Sequence, residues 1–110
     1  MRDNKSYKGN AEKTKFRKTK RWRDFREHMK EVNNKKDFIT MSKLYKTWNL
    51  HHLDPEHYEL LEDDRFVALN SMTHDFVEWL YKYYRKDIGV ITRLVQVLQK
   101  MKDYEVLSES

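Results

Sequence analysis

The sequence predicts an α+β fold in which a short antiparallel hairpin and a helix form the centre, with one further helix on each side. Three observations support this prediction. Apolar residues recur at helical spacing near both ends of the chain, short runs rich in β-branched and aromatic residues lie between them, and proline and asparagine mark the breaks. The chain of 110 residues is expected to form a basic arm over 1–18 and one domain over 19–110, with its core at about 37–86.

Composition limits the chemistry that the chain can carry out. Hydrophobic residues make up 38% of the chain and charged residues 37%, while the 14% that are aromatic supply much of the apolar area that a small core needs. Cysteine is absent, which excludes disulfides, thiolate metal sites and cysteine nucleophiles. No apolar run approaches the roughly 18–20 residues that cross a bilayer, and the first residues are polar. We therefore expect a cytoplasmic protein without a membrane partner.

The net charge of +5 is unevenly distributed. Residues 1–23 hold 10 lysines and arginines against 2 acids, whereas residues 24–110 hold 13 against 16. Basic arms of this kind commonly bind nucleic-acid phosphates, and a solvated tail that aids solubility is the alternative. The residues predicted to contact nucleic acid are Lys15, Arg17, Lys18, Lys20, Arg21 and Arg23.

The first 18 residues have no apolar periodicity and are expected to stay disordered without a partner. Periodicity begins near Lys20. From there, apolar residues recur every three or four positions and predict a helix over 19–32 that ends at Asn33-Asn34. The members of this apolar face are Trp22, Phe25, Met29 and Val32.

Two short segments, 37–41 and 46–53, are predicted to pair as antiparallel strands. Side chains alternate along a strand, so the adjacent His51 and His52 are expected to point to opposite faces. Pro55 ends the second strand because it lacks the N–H that a sheet ladder needs.

The residues that follow the predicted hairpin are acidic. A loop or a helical turn over 55–64 leads into an extended segment over 65–69. Arg65 is expected either to contact a phosphate or to pair with the carboxylates of Glu62-Asp63-Asp64.

The next helix is predicted to begin at Asn70-Ser71, either of which can serve as its N-cap, and to run to about Lys86. On it, His74 and Glu78 are four residues apart and so share a face. A last helix over about 87–104 carries an apolar stripe suited to the core or to a dimer contact, which leaves monomer and homodimer open. The predicted buried residues of the first of these two helices are Met72, Phe76, Trp79, Leu80 and Tyr83.

His51, His74 and Glu78 could together hold one metal ion. A strand histidine, followed about twenty residues later by a helix with a histidine and a carboxylate one turn apart, offers three ligands from two elements that pack together. Imidazole and carboxylate bind Mg²⁺, Mn²⁺, Zn²⁺ or Ni²⁺, and three protein ligands leave positions for water and substrate. The alternative for these histidines is a structural role.

Four stretches of the chain resemble the HNH endonucleases, and more narrowly the small, cysteine-poor members found in bacteriophage genomes. The resemblance spans about residues 20–86, and its specific part is the double histidine followed by a helix that carries His74. HNH proteins use the ββα-metal fold, in which a hairpin and a helix hold one divalent cation. The four stretches are Arg21-Trp22-Arg23-Asp24-Phe25-Arg26, Phe38-Ile39-Thr40, Trp48-Asn49-Leu50-His51-His52-Leu53-Asp54 and Phe66-Val67-Ala68-Leu69-Asn70-Ser71-Met72-Thr73-His74.

The resemblance implies a role for each residue of the cluster. His51 and His74 would bind the cation, and His52 would be the general base that takes a proton from water. Glu78 would stand where many members have their last histidine, and its carboxylate favours Mg²⁺ or Mn²⁺ over Zn²⁺ or Ni²⁺. The expected reaction is hydrolysis of phosphodiester bonds in DNA with one divalent cation, leaving a 5′ phosphate.

The family's middle asparagine falls near Asp64 or Arg65, and neither is asparagine. Asn70 lies at the predicted helix start, where we expect it to act as a cap, so Asn70 and Arg65 are candidates for a supporting role. The unmatched asparagine and the acidic body favour an alternative, a catalytically impaired HNH-scaffold phage protein that regulates or inhibits a host defence protein. The basic arm favours another, a DNA-binding accessory factor. The predicted partners are DNA or a phage or host protein, in the host cytoplasm if the chain is phage-encoded.

Overall fold

The structure is a computed structural model that describes residues 11–109. It contains helices and one antiparallel hairpin, which confirms the α+β class. None of the described helices combines the length and apolarity that crossing a bilayer requires. The elements are a helical segment over 11–17, α1 (Lys20–Val32), β1 (Asn49–His52), β2 (Phe66–Leu69), α2 (Ser71–Tyr84) and α3 (Gly89–Glu109), with short 3-10 turns at Pro55–His57 and Asp63–Arg65.

The chain divides into two compact units, and the boundary lies between His74 and Asp75. The boundary falls inside α2, which continues through it without a break. The first unit holds α1, the hairpin and the first turn of α2, and the second holds the rest of α2 together with α3. A single domain over 19–110 stays a prediction.

The helix predicted over 19–32 is confirmed as α1. Thr19 is its N-cap, and the hydroxyl oxygen of this residue accepts a hydrogen bond from the backbone N–H of Trp22 at 3.2 Å. The chain leaves the helix through Asn33 and then through Asn34, which has a φ of 56°. Asparagine tolerates this left-handed conformation better than most residues do, which explains why the helix ends there.

The prediction of a disordered arm over residues 1–18 is wrong for the part of the arm that the structure describes. Residues 1–10 lie outside the described part of the chain, and residues 11–17 are helical. Phe16 gives this segment a partner, because its ring centroid lies 5.9 Å from that of Trp22 and 5.6 Å from that of Tyr58. The Thr19 hydroxyl also donates to the Phe16 carbonyl at 2.7 Å, which fixes the segment against the start of α1.

The strand predicted over 37–41 is wrong, because this segment is a turn. The buried carboxylate of Asp37 accepts hydrogen bonds from the backbone N–H groups of Ile39 and Thr40, both at 2.8 Å. Aspartate bonded to the backbone two and three residues ahead closes a turn, which competes with strand pairing. Met41 follows with a φ of 63°, which an extended strand does not allow.

The second predicted strand forms over Asn49–His52 and has a different partner. It pairs in antiparallel fashion with β2, the segment expected to be extended but unpaired, and the register places His51 opposite Val67 and His52 opposite Phe66. A hydrogen bond from Leu53 N–H to the Arg65 carbonyl, at 2.9 Å, continues this pairing past the end of β1. The hairpin therefore has a long connection over 53–65 and leads directly into α2.

Both helices predicted in the last third of the chain are present, and α3 extends to Glu109 rather than ending near residue 104. The buried face predicted for α2 is wrong at most positions. Met72, Phe76 and Trp79 are 84%, 53% and 50% exposed, and Thr73 is the one residue of this helix classed as buried. The first turn of α2 is held by polar contacts to Asp37 instead of by an apolar stripe.

The core of the first unit lies where α1 packs against the hairpin. Trp22 and Met29 from α1 meet Leu50 from β1 and Phe66 from β2. The full buried cluster consists of Trp22, Met29, Leu44, Trp48, Leu50, Phe66 and Ala68, with Phe16, Phe25 and Leu61 packed against it.

Candidate metal centre

His51, His74 and Glu78 lie close together. Each offers one ligand atom, and these three atoms lie within 4.8 Å of one another. The rings of His51 and His74 meet edge to face, with centroids 5.1 Å apart and an interplanar angle of 75°. Both imidazoles are half-buried and the carboxylate is exposed, so one side of the cluster is open to solvent.

Strand pairing and helix geometry explain how the chain assembles this cluster. Because β1 and β2 are antiparallel and α2 starts two residues after β2, the first turn of α2 lies beside β1. The amide of Asn49 donates to the Ser71 hydroxyl at 3.3 Å, and that hydroxyl in turn donates to the carbonyl of Thr47. These bonds link the beginning of α2 to the beginning of β1. His74 then sits at the end of the first turn, and Glu78 follows one turn later on the same face.

A buried polar network fixes the start of α2. The Asp37 side chain is fully buried and accepts a hydrogen bond from the backbone N–H of Asn70 at 2.9 Å. Burial alone would raise the pKa of Asp37, but hydrogen bonds from the backbone of Thr40 and Asn70 and from the side chain of Thr73 outweigh it, so the pKa lies below its ordinary value. The carboxylate therefore stays charged and holds the residues that precede His74.

Asn70 has a different role from the cap that its position suggested. Its carbonyl accepts the helical hydrogen bond from the N–H of His74 at 2.9 Å, yet its side chain turns away from α2. The amide oxygen accepts from the N–H of Tyr45 at 2.7 Å, and the amide nitrogen donates to the carbonyl of Lys43 at 2.9 Å. Asn70 thus supports the site by fixing the loop at 43–45 against the start of the helix.

His52 lies on the other face of β1 from His51, as strand alternation predicts. Its ring stacks on Trp22 with centroids 5.5 Å apart and planes 2° from parallel, and it also contacts Phe66 at 4.9 Å. The Nε2 atom is buried and has no hydrogen-bond partner among the described residues. Burial, followed by the positive charges of Arg17 and Lys13, lowers the pKa of His52 to about 4. His52 is therefore neutral at neutral pH.

Arg65 pairs with carboxylates rather than standing free for a phosphate. Its Nε donates to Glu62 at 2.8 Å, and its Nη1 donates to Asp54 at 3.2 Å. The hydrogen bond with Glu62 is the main cause that raises the pKa of Arg65. Because Asp54 follows β1 and Arg65 precedes β2, this pair closes the hairpin connection. Asp64, the other position near which the family's asparagine falls, is exposed in the turn before Arg65.

The basic residues predicted to contact nucleic acid lie on the helical segment 11–17, on α1 and on the link between them. All are exposed, which keeps them available to a polyanion. Some already have partners: Lys20 pairs with Asp24 at 2.8 Å, and Arg21 donates to the Glu59 carbonyl at 3.1 Å. These residues are Lys15, Arg17, Lys18, Lys20, Arg21 and Arg23.

The contacts of two residues near the site were not predicted. The guanidinium of Arg26 lies 3.9 Å above the ring of Trp48 and donates to the Trp48 carbonyl at 2.7 Å, immediately before β1. Burial lowers the pKa of Arg26, although the charge of Glu27 opposes this effect. Asp37 was assigned to a strand. Its signal was the polar spacing of Asp37, Thr40 and Ser42, which is typical of a turn.

The donor set of the cluster fits a divalent cation. Ligand atoms that surround a common ion tetrahedrally at about 2.1 Å lie about 3.4 Å apart. Because the three atoms lie within 4.8 Å of one another, the side chains would have to close by up to about 1.4 Å to hold one ion. Two imidazoles and one carboxylate suit Mn²⁺, Zn²⁺ or Ni²⁺ and also Mg²⁺ when water completes the shell. No family model, curated protein or solved structure matches the chain. The case for function therefore rests on the chemistry of these residues.

Proposed function

We propose that this chain is an HNH-type endonuclease that hydrolyses DNA phosphodiester bonds with one divalent cation. The observation that carries the proposal is the convergence of His51, His74 and Glu78, whose ligand atoms lie within 4.8 Å of one another. The order of elements also supports it, because hairpin and helix follow one another in the sequence β1, β2, α2. This order is the one that the ββα-metal fold requires.

In this proposal the three side chains hold the cation from one side. Three protein ligands leave positions open for water and for a phosphate oxygen. The carboxylate of Glu78 favours Mg²⁺ or Mn²⁺, while the two imidazoles also admit Zn²⁺ or Ni²⁺. When bound, the cation polarises the scissile phosphate and stabilises the leaving 3′ oxygen.

His52 is the proposed general base. Its lowered pKa, about 4, keeps the imidazole unprotonated at neutral pH, so a ring nitrogen can accept the proton of the attacking water. The buried Nε2 has no partner among the described residues, so accepting that proton would break no existing bond. The ring lies against Trp22, on the face of β1 opposite His51, so this role requires a rearrangement of β1 and its histidines when substrate binds.

Plasmid cleavage tests the proposal. The purified chain with Mg²⁺ or Mn²⁺ should nick or cut supercoiled DNA, EDTA should abolish the activity, and His74→Ala should remove it by taking away a ligand. His28→Ala is the matched control, because His28 is an exposed histidine that pairs with Asp63 at 2.9 Å, outside the cluster. Cleavage that survives EDTA, or that is equal in His74→Ala and the unmodified chain, would refute the metal site.

A second function is favoured by the exposed apolar side chains of α2 and α3. On α3, large apolar side chains three and four residues apart share one helical face and are exposed, among them Val97, Leu98 and Met101 at 55%, 54% and 59%. They suit an HNH-scaffold protein that binds and regulates a host or phage protein without cleaving DNA. Cation binding without cleavage under any condition would favour this alternative. DNA binding without cleavage would favour an accessory factor.

A further inference from the structure

The helical segment 11–17 is attached to the side of the first unit that carries His52. Phe16 is the anchor, with its ring against both Trp22 at 5.9 Å and Tyr58 at 5.6 Å. Trp22 stacks in turn on His52. A continuous row of rings therefore joins the N-terminal segment, through Phe16 and Trp22, to His52 on β1.

Two cations of this segment share one side of the helix. Lys13 and Arg17 are four residues apart, so their side chains lie on the same face. The ammonium of Lys13 lies 5.7 Å above the ring of Tyr58, one of the two rings that anchor Phe16.

We propose that Lys13 and Arg17 form a phosphate-binding pair that holds the nucleic-acid backbone next to His52. This inference rests on the proposed nuclease function and adds a substrate contact to it. The guanidinium can bind two phosphate oxygens at once, and the ammonium adds a compact charge. The side chains of Lys20 and Arg21, further along the chain, bond to Asp24 and to the Glu59 carbonyl. The pair on 11–17 is distinguished by the attachment of this segment, through Phe16 and Trp22, to the ring of His52.

Binding without cleavage is the direct test. We would measure the affinity of a fluorescent DNA duplex by anisotropy in EDTA, over a series of salt concentrations, for the unmodified chain and for Lys13→Gln/Arg17→Gln. The variant should bind about ten-fold more weakly or worse, and its salt dependence should fall by about two phosphate contacts, a change of about 1.8 in the slope of log K against log salt. Lys13→Arg/Arg17→Lys keeps both charges and should restore most of the affinity.

Lys35→Gln/Lys36→Gln is the matched control, because it removes the same two charges from exposed positions just beyond the C-terminal end of α1. The 13 residues of α1 separate this end from the N-terminal segment by about 20 Å. The control should change affinity by less than about two-fold and leave the salt slope unaltered. Equal losses in the two double variants, or no DNA binding by the unmodified chain, would overturn the inference.

The same variants separate this inference from the proposed function. If DNA binding depends on Lys13 and Arg17 but no cation supports cleavage, the phosphate contact stands and the nuclease proposal fails. If the chain cleaves DNA and Lys13→Gln/Arg17→Gln changes neither KM nor kcat, the nuclease proposal stands and the inference fails. Circular dichroism should show the same helix content in every variant, since Arg17, Lys35 and Lys36 are exposed and Lys13 is only half-buried.

Discussion

The two faces of β1 give adjacent histidines opposite surroundings. On one face, the half-buried His51 meets His74 and lies within ligand distance of an exposed carboxylate. On the other face, His52 stacks on the indole of Trp22, and its Nε2 is shielded from solvent. One step along a strand reverses the direction of the side chain, so two identical residues acquire different chemistry from the elements packed on each side.

Charge separates the faces as clearly as packing does. Glu78 adds a carboxylate to the two imidazoles of the His51 face. The positive charges of Lys13 and Arg17 act on His52, on the face opposite His51. Replacing His51 and replacing His52 should therefore impair different properties of the protein, namely metal binding and cleavage.

The largest expected effects come from replacing each histidine by alanine. His52→Ala should reduce plasmid cleavage about 10²–10⁴-fold through loss of the general base, while Mn²⁺ affinity changes little. His51→Ala should weaken Mn²⁺ binding about 100-fold or more, since it removes a ligand. Calorimetric titration with Mn²⁺ and a cleavage assay measure the two quantities separately. Equal loss of Mn²⁺ binding in both variants would show that the two faces do not differ.

Trp22→Ala should have the next largest effect, on folding rather than on metal binding. Trp22 is 6% exposed and contacts Phe16, Phe25, His52 and Phe66. Truncation of a buried tryptophan typically lowers the free energy of unfolding by about 3–5 kcal/mol. Urea denaturation would measure the loss. Trp79→Ala is the control, because Trp79 is 50% exposed and its truncation should cost about 1 kcal/mol or less.

Asp37→Ala tests whether the buried hydrogen bonds of Asp37 hold His74 in place beside His51. The substitution leaves the buried N–H of Asn70 and the N–H groups of the turn without their acceptor, and we expect a loss of about 2–3 kcal/mol in the free energy of unfolding. Asp37→Asn keeps one acceptor oxygen and should lose less. If Asp37→Asn folds normally, its Mn²⁺ affinity should still fall, because the first turn of α2 carries His74. Unchanged Mn²⁺ affinity would show that the network does not position this ligand.

The smallest predicted effect is on the pH dependence of stability. The pKa of His52 is about 4 in the folded chain and about 6.5 in the unfolded chain. Well above pH 6.5, His52 is neutral in both the folded and the unfolded chain. As the pH falls from 6.5 towards 4, His52 becomes protonated in the unfolded chain but stays neutral in the folded chain. Stability should therefore drop by about 1 kcal/mol between pH 7.5 and 5.5.

His52→Leu separates this effect from other titrations. It removes the ionisable group while keeping an apolar side chain against Trp22, so it should lose less stability over the same pH interval than the unmodified chain does. Urea denaturation at the two pH values measures both chains. Identical pH dependence would show that the imidazole is not protected from protonation in the folded state.

Local patterns were sufficient to predict α1, α2, α3 and one strand. The three- and four-residue spacing of Trp22, Phe25 and Met29 predicted α1, which begins after Thr19 and ends at Asn33 as predicted. The segment around His51 was predicted as a strand and forms one. The juxtaposition of His51 with His74 and Glu78 was also predicted, because it depends only on a strand and a helix of known spacing packing together.

The remaining features depend on contacts between distant residues. The partner of β1 was assigned to 37–41, because periodicity cannot show that the Asp37 carboxylate closes a turn and bonds to Asn70, 33 residues away. The apolar stripe of Trp22 predicted its burial but not its stacking on His52, 30 positions later. The strand partner of β1 and the stacking of Trp22 on His52 both depend on how separate elements pack together. The pattern within a single segment does not determine that packing.

The connection between β1 and β2 is a place where the chain can be lengthened without disturbing the hairpin. Its two ends are fixed to each other by the Leu53 to Arg65 hydrogen bond and by the ion pair of Arg65 with Asp54. Because the cost of closing a flexible loop grows only with the logarithm of its length, doubling residues 53–65 would cost about 0.6 kcal/mol. Insertions there would leave both strands in register. The positions of His51 and His52 are therefore independent of the length of this loop.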